Sequence, residues 1–190
     1  MRVREPTSVE RLIAAVSREL RASGIPSMLI GGQAVLVHGE PRVTEDIDIT
    51  LAAEPDRLGD VVQMCDRIGL APLPENVAQF VAETFVLPAR HALTGFRVDF
   101  VFSSTQFERE AIARAVPLDI AGEPVAFATP EDLLIHKLFA ARPRDLEDAR
   151  GIVRRRGATL DWGYIERWAA EFAAVPGQEG MPALVKALRA

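Results

Sequence analysis

Three aspartates are the residues of this sequence best suited to act together chemically. Asp46 and Asp48 lie two residues apart in TEDIDITL, residues 44–51, and Asp99 lies in FRVDFVF, residues 96–102. Both stretches alternate polar and apolar side chains, a pattern typical of β-strands with one buried face. Residues two apart on a strand share a face at a spacing of about 6.5 to 7 Å. If the two strands are neighbours, the three carboxylates therefore share one small patch.

Such a cluster of carboxylates calls for a cation. Two unit charges about 5 Å apart repel by roughly 3 kcal/mol at an effective dielectric constant near 20. Hard oxygen ligands without histidine or cysteine suit Mg²⁺ or Mn²⁺ rather than zinc. We therefore predict a magnesium (or manganese) site formed by Asp46, Asp48 and Asp99.

A pair of glycines indicates a neighbouring site for an anion. The short apolar stretch SMLI, residues 27–30, predicts a buried strand, and Gly31 and Gly32 end it before a helix predicted over Gln33–His38. Glycines at such a turn let backbone N–H groups approach an anion, and a helix start adds a positive dipole end. A metal site beside an anion site suggests a nucleoside triphosphate. The reaction would then be attack by an acceptor hydroxyl on a phosphoryl group.

The elements that must position these residues form an α/β protein. Apolar residues at helical spacing predict a first helix from the Thr7–Glu10 capping box to Gly24, and a second amphipathic helix over residues 56–68. A hairpin over residues 85–102, turning at Thr94-Gly95, carries Asp99, whereas residues 72–84 show no clear pattern.

The last third of the chain is predicted to be mainly helical. A small hairpin around Gly122 precedes a strong helix start at Thr129, and further helices follow from about residue 143. We predict an α/β core with a small mixed β-sheet flanked by helices, over residues 1–128. A helical C-terminal region, residues 129–190, packs on that core.

Composition limits the function classes. The chain has 190 residues, 48% of them hydrophobic, and a formal net charge of -5, which argues against a surface coated with basic charge for nucleic acid. One cysteine allows no internal disulfide, and three histidines make a structural zinc site an unfavoured reading. Neither a signal peptide nor a membrane-spanning stretch is recognisable, so we expect a cytoplasmic protein.

Four segments together resemble the polymerase-β-like nucleotidyltransferase superfamily, and within it the AbiEii-type toxin nucleotidyltransferases of bacterial toxin–antitoxin systems. They are GGQAVLVHG, RVTEDIDI, FRVDFVF and EDLLIHKLFAARPRDLEDA, which span about residues 28 to 150. The resemblance implies that Gly31 and Gly32 hold the triphosphate, that Asp46 and Asp48 hold metal, and that Asp99 completes the site.

The resemblance to the AbiEii-type branch adds Lys137 and Asp148 to the catalytic residues. The superfamily often has serine at the second position of the glycine turn. Here that position is Gly32, followed by Gln33, so no side-chain hydroxyl is expected to contact the phosphate at this position. We predict triphosphate binding by Gly31, Gly32, Gln33, Arg42 and Lys137. We expect ATP or another NTP as the donor and an RNA acceptor such as the end of a tRNA. Growth inhibition and an antitoxin partner follow from the same resemblance.

Structural interpretations of several residues remain open. Lys137 sits in an almost wholly apolar helix and either reaches solvent or faces the acids; Arg42 either pairs with an acid or reaches the triphosphate. Asp145 is expected to be a helix N-cap, and Asp148 has the alternative of pairing with a nearby arginine such as Arg144. Three further expectations concern His38 as a capping or packing residue rather than a base, Arg97 as a brace for Asp99, and Arg154–Arg156 as the basic end of a helix.

Alternative functions also remain open. The same chemistry could serve a protein hydroxyl or a small molecule such as an aminoglycoside. The domain could instead bind nucleotide or a partner without turnover, as an antitoxin or scaffold, or its acids could bind metal only for stability.

Overall fold

The computed structural model describes residue 5 and residues 7–103 and 105–189, which together form nine α-helices and one seven-stranded sheet. Residues 1–4, on which the expectation of no signal peptide partly rests, lie outside the described residues. No helix within the described ranges is both long and apolar enough to cross a membrane.

The sheet has the spatial order β3-β4-β5-β2-β1-β7-β6. The pairs β2–β5 and β1–β7 run parallel and the other neighbours run antiparallel, so the sheet is mixed, as predicted. The strands are β1 Ser27–Leu29, β2 Asp46–Ala52, β3 Leu70–Pro72, β4 Val86–His91, β5 Arg97–Ser103, β6 Val116–Ile120 and β7 Glu123–Phe127.

The helices confirm the prediction of a helical last third, because four of the nine follow β7. They are α1 Ser8–Ala22, α2 Gly31–His38, α3 Leu58–Arg67, α4 Val77–Thr84, α5 Gln106–Arg114, α6 Pro130–Ala140, α7 Pro143–Arg156, α8 Trp162–Phe172 and α9 Met181–Arg189. Short 3₁₀ turns lie at Pro55–Arg57 and Gly157–Thr159.

Alternation fixes which face of the two central strands is buried. On β2 and β5 every second side chain is apolar and at most 2% exposed, and these residues are Ile47, Ile49, Leu51, Val98, Phe100 and Phe102. Their neighbours in sequence, which include the three aspartates, lie on the opposite face. The hydrophobic face therefore holds the strands in register while the polar face remains available for a site.

Helix starts follow the predicted capping residues. Thr7 and Glu10 form both hydrogen bonds of a capping box, and the hydroxyl groups of Thr105 and Thr129 accept backbone N–H groups at the starts of α5 and α6. Two local differences appear. Helix α2 begins at Gly31 rather than at Gln33, so both glycines lie in its first turn, and the segment without a clear pattern contains α4.

The sheet and its helices share one hydrophobic core. Leu133, Leu134 and Leu138 of α6 are fully buried in it beside residues of β1, β2 and β7, and α6 packs against α7 and α8. The predicted fold class, an α/β core with a mixed sheet flanked by helices, is confirmed. The division of the chain at residue 128 stays a prediction.

Candidate active site

The site begins where β1 ends and α2 starts. Gly31 has a φ of 59°, in the left-handed region, and a β-carbon at this position would lie 1.8 Å from Oδ2 of Asp48. The backbone N–H of Gly32 donates a hydrogen bond to the Asp48 carboxylate. Glycine is therefore required at 31, as the sequence suggested for anion binding, but the group against it in the structure is the carboxylate of Asp48.

Parallel pairing of β2 with β5 brings the predicted acids together. Asp48 is the register partner of Asp99, and Asp46 is the register partner of Arg97. Residues paired in register on neighbouring strands point to the same face of the sheet. The expectation that Asp48 and Asp99 lie on adjacent strands is confirmed.

Asp48 is a partly buried carboxylate with more negative than positive charge around it. Burial raises the pKa of Asp48, and the charges of Asp46 and Asp99 add to this, giving a value of about 6. The nearby Lys137 and the N–H of Gly32 act in the opposite direction. A cation placed among these acids would relieve the repulsion.

The three acids supply a hard-oxygen donor set suited to Mg²⁺ or Mn²⁺. Asp46 accepts a hydrogen bond from the Thr44 hydroxyl at 3.0 Å, and Asp99 accepts one from Arg97 Nε at 2.7 Å, which confirms Arg97 as its brace. In these orientations no group of three or more His, Cys, Asp or Glu side chains among the described residues is arranged as a metal site. The donor types fit the ion, and in the structure Asp46 and Asp99 are engaged by Thr44 and Arg97 instead.

Lys137 lies at the contact of α6 with α7 and faces the acids rather than solvent. Its Nζ lies 2.9 Å from Oδ1 of Asp145 and 2.9 Å from Oδ2 of Asp148, and its side chain is only 9% exposed. The two carboxylates are also bound by arginines: Asp145 by Arg142, and Asp148 by Nε and Nη2 of Arg42 at 2.8 and 3.0 Å. Lys137, Arg42, Arg142, Asp145 and Asp148 thus form one ion-pair network.

Two structural expectations for this network are wrong. Asp145 is not the N-cap of α7, which is Arg142; Asp145 lies in the first turn and bonds to Lys137. Asp148 does not pair with Arg144, whose Nη2 donates instead to the carbonyl oxygen of Val43. The bidentate partner of Asp148 is Arg42, 106 residues earlier, which sequence spacing could not reveal.

Hydrogen bonds keep the network ionised. Burial alone would raise the pKa of Asp145 and of Asp148, but hydrogen bonds and charge from Lys137 and one arginine each outweigh it and lower both pKa values. Hydrogen bonding to Asp148 raises the pKa of Arg42 despite partial burial. The two carboxylates therefore hold the Lys137 side chain in place at the cavity that also contains Asp48.

These groups surround one cavity of about 630 Å³. Seven of the predicted site residues line it, whereas Asp148 is not a lining residue and acts on the cavity through Arg42 and Lys137. Gln33 does not line it either; its side chain is buried in α2 away from the cavity. The lining residues are Ile30, Gly31, Gly32, Arg42, Asp46, Asp48, Arg97, Asp99, His136, Lys137, Phe139, Ala140, Arg142, Arg144 and Asp145.

The cavity is also lined by Arg142, Arg144, His136 and Phe139, which were not among the predicted site residues. Arg142 and Arg144 stand at the start of α7, where positive charge opposes the helix dipole. Basic residues at the start of a helix therefore indicate, from the sequence alone, that a carboxylate or another anion lies nearby. His136 and Phe139, which neighbour Lys137 on α6, carried no such signal.

Two other basic groups have structural roles. The imidazole Nε2 of His38 lies 2.8 Å from the carbonyl oxygen of Ala128, and burial lowers its pKa, as expected for a packing residue. The segment Arg154–Arg156 contacts the C-terminal end of α2 through Glu40 and the carbonyl oxygens of Gly39 and Val37. These arginines therefore lie at the C-terminal ends of both α7 and α2. The sequence predicted only their position at the end of α7, their own helix.

Solved structures share this fold. The antibiotic-resistance factor ANT(2'')-Ia is 17% identical with a TM-score of 0.61, over 92% of this chain and 98% of that one. A nucleotidyltransferase-like protein from Paracoccidioides brasiliensis is 15% identical with a TM-score of 0.57, over 96% and 94%. The lincosamide antibiotic adenylyltransferase LnuA is 14% identical with a TM-score of 0.52, over 78% and 98%. At these identities the likeness establishes the fold.

A search of curated proteins finds no match. The family described as "Nucleotidyltransferase of unknown function (DUF6036)" matches residues 9–178, which include every predicted site residue. That match confirms the predicted enzyme class and superfamily, and it leaves the AbiEii-type branch as a proposal. The chain therefore belongs to the nucleotidyltransferase family DUF6036.

Proposed function

We propose that this nucleotidyltransferase transfers a nucleotidyl group from an NTP, with ATP as the first donor to test, to the hydroxyl of an acceptor in the presence of Mg²⁺ or Mn²⁺. One observation carries the proposal. The Asp48 carboxylate lies against the Gly31-Gly32 helix start and beside Asp99, in one cavity that also contains Lys137. An anion site and a carboxylate cluster are thereby joined.

The triphosphate belongs at the glycine end of the cavity. The first turn of α2 presents backbone N–H groups and a positive dipole end there. Lys137 uses two of its three N–H donors on Asp145 and Asp148, which leaves one for a phosphate oxygen. Asp148 is then a positioning residue, because it holds Lys137 and Arg42 without lining the cavity.

Asp46 and Asp48 would hold the divalent ion that accompanies the donor, and Asp99 would complete the metal site on the acceptor side. A magnesium ion bound to them supplies charge neutralisation for the phosphate oxygens of the donor. In the step itself, the acceptor oxygen bonds to the α-phosphorus, the bond to the oxygen bridging the β-phosphorus breaks, and pyrophosphate leaves. The released hydroxyl proton passes to a carboxylate, for which we propose Asp99.

Sheet order supports this assignment of Asp99. Strand β2 lies between β1, which leads into Gly31, and β5, which carries Asp99. Asp99 therefore lies on the far side of Asp48 from the glycine turn. An in-line transfer needs the attacking and leaving oxygens on opposite sides of the α-phosphorus.

For the acceptor we propose RNA, such as the end of a tRNA, with the protein acting in the cytoplasm as a toxin that an antitoxin restrains. The support is the sequence resemblance of residues 28 to 150 to AbiEii-type enzymes. A small hydroxylated molecule is the second candidate, and it is favoured by the alignment with ANT(2'')-Ia over 98% of that chain.

The test is transfer of α-³²P from each of the four NTPs, with Mg²⁺, to total tRNA, to a protein extract, or to tobramycin and lincomycin. We expect label on tRNA, complete dependence on metal, and loss in Asp48→Asn. Asp66→Asn is the matched control, because Asp66 is an exposed carboxylate on α3 away from the cavity. Label on a drug instead would establish the second candidate, and no label on any acceptor would contradict transferase activity.

A further inference from the structure

We propose that a second hollow, beside the cavity and centred on Arg90 and Arg97, binds a backbone phosphate of a single-stranded RNA acceptor. This inference rests on the proposed nucleotidyl transfer and names the side from which the acceptor enters. The hollow, called the β4–β5 hollow below, has a volume of about 620 Å³. Its lining residues are Val43, Thr44, Glu45, Asp46, Arg90, Thr94, Gly95, Phe96 and Arg97.

The β4–β5 hollow is continuous with the catalytic cavity. Asp46 and Arg97 line both, and Arg97 is in register with Asp46 on one side and with Arg90 on the other. Across the sheet, the order is therefore glycine turn, aspartate cluster, then Arg90. If the donor triphosphate binds at the glycine turn, the β4–β5 side of the aspartate cluster remains free for the acceptor.

Arg90 and Arg97 are two like charges of which, within the described part of the chain, only Arg97 has a carboxylate partner. They stand directly opposite each other on antiparallel strands, where like charges destabilise the pair. Arg97 is balanced by Asp99, at 2.7 Å. Arg90 donates one hydrogen bond to the carbonyl oxygen of Gly95 at 2.9 Å, and no carboxylate among residues 7–103 and 105–189 pairs with it.

Two acids also line the hollow. Asp46 is assigned to the metal in the proposed function, and Glu45 is exposed on the loop before β2. Among the charged residues that line the hollow, Arg90 thus carries a positive charge that no carboxylate of the described residues pairs with, and most of its N–H donors are left for a ligand. A planar guanidinium with several N–H donors matches phosphate oxygens.

The remaining lining fits nucleic acid better than a cationic drug. Phe96, which is half-buried and packs against the hydrophobic core, adds aromatic surface to the lining of the hollow. Arg142 and Arg144 also line the adjoining cavity, and Arg144 has no carboxylate partner among the described residues. A polycationic acceptor such as an aminoglycoside would instead meet like charge.

The test is binding of a fluorescein-labelled, eight-residue single-stranded oligoribonucleotide with a free 3′-hydroxyl, followed by anisotropy at several salt concentrations. We expect Arg90→Ala to weaken binding by about fivefold to tenfold at low salt and Arg90→Glu to weaken it more. The slope of log Kd against log salt should fall by roughly 0.7 in Arg90→Ala, the value for one lost phosphate contact on a single strand. Arg90→Lys should retain most of the affinity.

Matched variants separate this inference from general charge effects. Arg150→Ala removes an exposed arginine of α7 that lines neither the cavity nor the hollow, and it should leave affinity unchanged. Glu45→Gln should strengthen binding. Equal losses in Arg90→Ala and Arg150→Ala would overturn the inference. So would tighter binding of tobramycin than of RNA, or competition by adenosine monophosphate equal to that of the oligonucleotide at the same phosphate concentration.

A separate readout distinguishes failure of the proposed function. Binding of Mg²⁺–ATP, measured as a shift in melting temperature, should persist in Arg90→Ala and be lost in Asp48→Asn. If Asp48→Asn keeps it, the proposed function fails whatever Arg90 does. If Asp48→Asn loses Mg²⁺–ATP binding while Arg90→Ala binds RNA as tightly as wild type does, only the assignment of the β4–β5 hollow is wrong.

Discussion

The α-carbon of Gly31 is so close to Asp48 that a β-carbon would lie 1.8 Å from Oδ2. We predict that Gly31→Ala destabilises the protein and displaces the Asp48 carboxylate, with loss of Mg²⁺–NTP binding. Alanine at a positive φ costs about 1 kcal/mol by itself, and the contact adds to this.

Gly24→Ala is the control for Gly31→Ala. Gly24 has a similar φ of 64°, but nothing lies within 4 Å of a β-carbon there. It should show the backbone cost alone and keep nucleotide binding. Equal melting temperatures and equal binding in the two variants would contradict a specific role for the Gly31–Asp48 contact.

Asp48 should make the stability of the metal-free protein depend on pH. Its pKa is raised to about 6 in the folded state, so the folded protein binds this proton more tightly than the unfolded chain. The contribution of Asp48 to the free energy of unfolding therefore falls as pH rises from about 4 to 6 and stays low above that. Asp48→Asn should be more stable than wild type by roughly 2 kcal/mol at pH 7.5.

The measurement is urea denaturation of both proteins at pH 4.5 and pH 7.5, without divalent metal. The advantage of Asp48→Asn should shrink at pH 4.5, where wild-type Asp48 is largely protonated. Asp66→Asn is the control for removing a carboxylate outside the cavity. A lower stability of Asp48→Asn at pH 7.5 would mean that the carboxylate is a structural partner of Gly32, in contradiction to this account.

Local patterns were sufficient to predict the strands that carry the acids. Alternation in β2 and β5 placed Asp46, Asp48 and Asp99 on one face, because a strand has a period of two residues. Parallel pairing then brought Asp48 beside Asp99, a relation that the family resemblance, but not the alternation, could supply.

Two kinds of feature could not be predicted from the sequence: contacts between residues far apart in the chain, and very short helices and strands. The Arg42–Asp148 pair joins residues 106 apart, and nothing in either local segment selects that partner. Helix α4 has only eight residues, and of these Val81 is the one fully buried residue, so the helix shows little hydrophobic periodicity. It ends at Phe85, whose φ of 58° is unusual for a residue other than glycine. Strand β3, with three residues, is equally short of pattern.

The ion-pair network around Lys137 predicts a second stability effect. Lys137→Met leaves Asp145 and Asp148 buried with one arginine each, and removing one partner of a buried pair costs several kcal/mol. We expect a loss of about 2 to 4 kcal/mol at pH 7.5, together with weaker NTP binding.

The loss should diminish as pH falls. Both carboxyls have lowered pKa values in the wild type, so their stabilising contribution is present above an ordinary aspartate pKa and disappears as pH falls through the folded pKa. Lys186→Met, on the exposed face of α9, is the control and should stay within about 0.5 kcal/mol of wild type. Comparable losses in both variants would show that the network contributes nothing specific.

The arginines at the end of α7 should matter for stability and not for acceptor binding. The Arg155 guanidinium donates to the carbonyl oxygen of Gly39 at the end of α2, so Arg155→Ala should cost about 1 kcal/mol. Arg154→Ala breaks only an exposed pair with Glu40 and should cost almost nothing. Oligonucleotide affinity should be unchanged in both, and a loss like that of Arg90→Ala would identify this segment as the RNA surface.

Asp99 should separate donor binding from transfer. It lies on the far side of Asp48 from the glycine turn, and its ion pair with Arg97 is partly exposed, so Asp99→Asn should fold normally. Because its proposed role concerns the acceptor hydroxyl, the affinity for Mg²⁺–ATP should change by less than about threefold, while transfer falls by a factor of about 100 or more. Calorimetric titration with a non-hydrolysable ATP analogue and single-turnover transfer measure the two quantities separately. Asp48→Asn should lose both, and parallel losses of binding and transfer in Asp99→Asn would show that Asp99 serves the donor side instead.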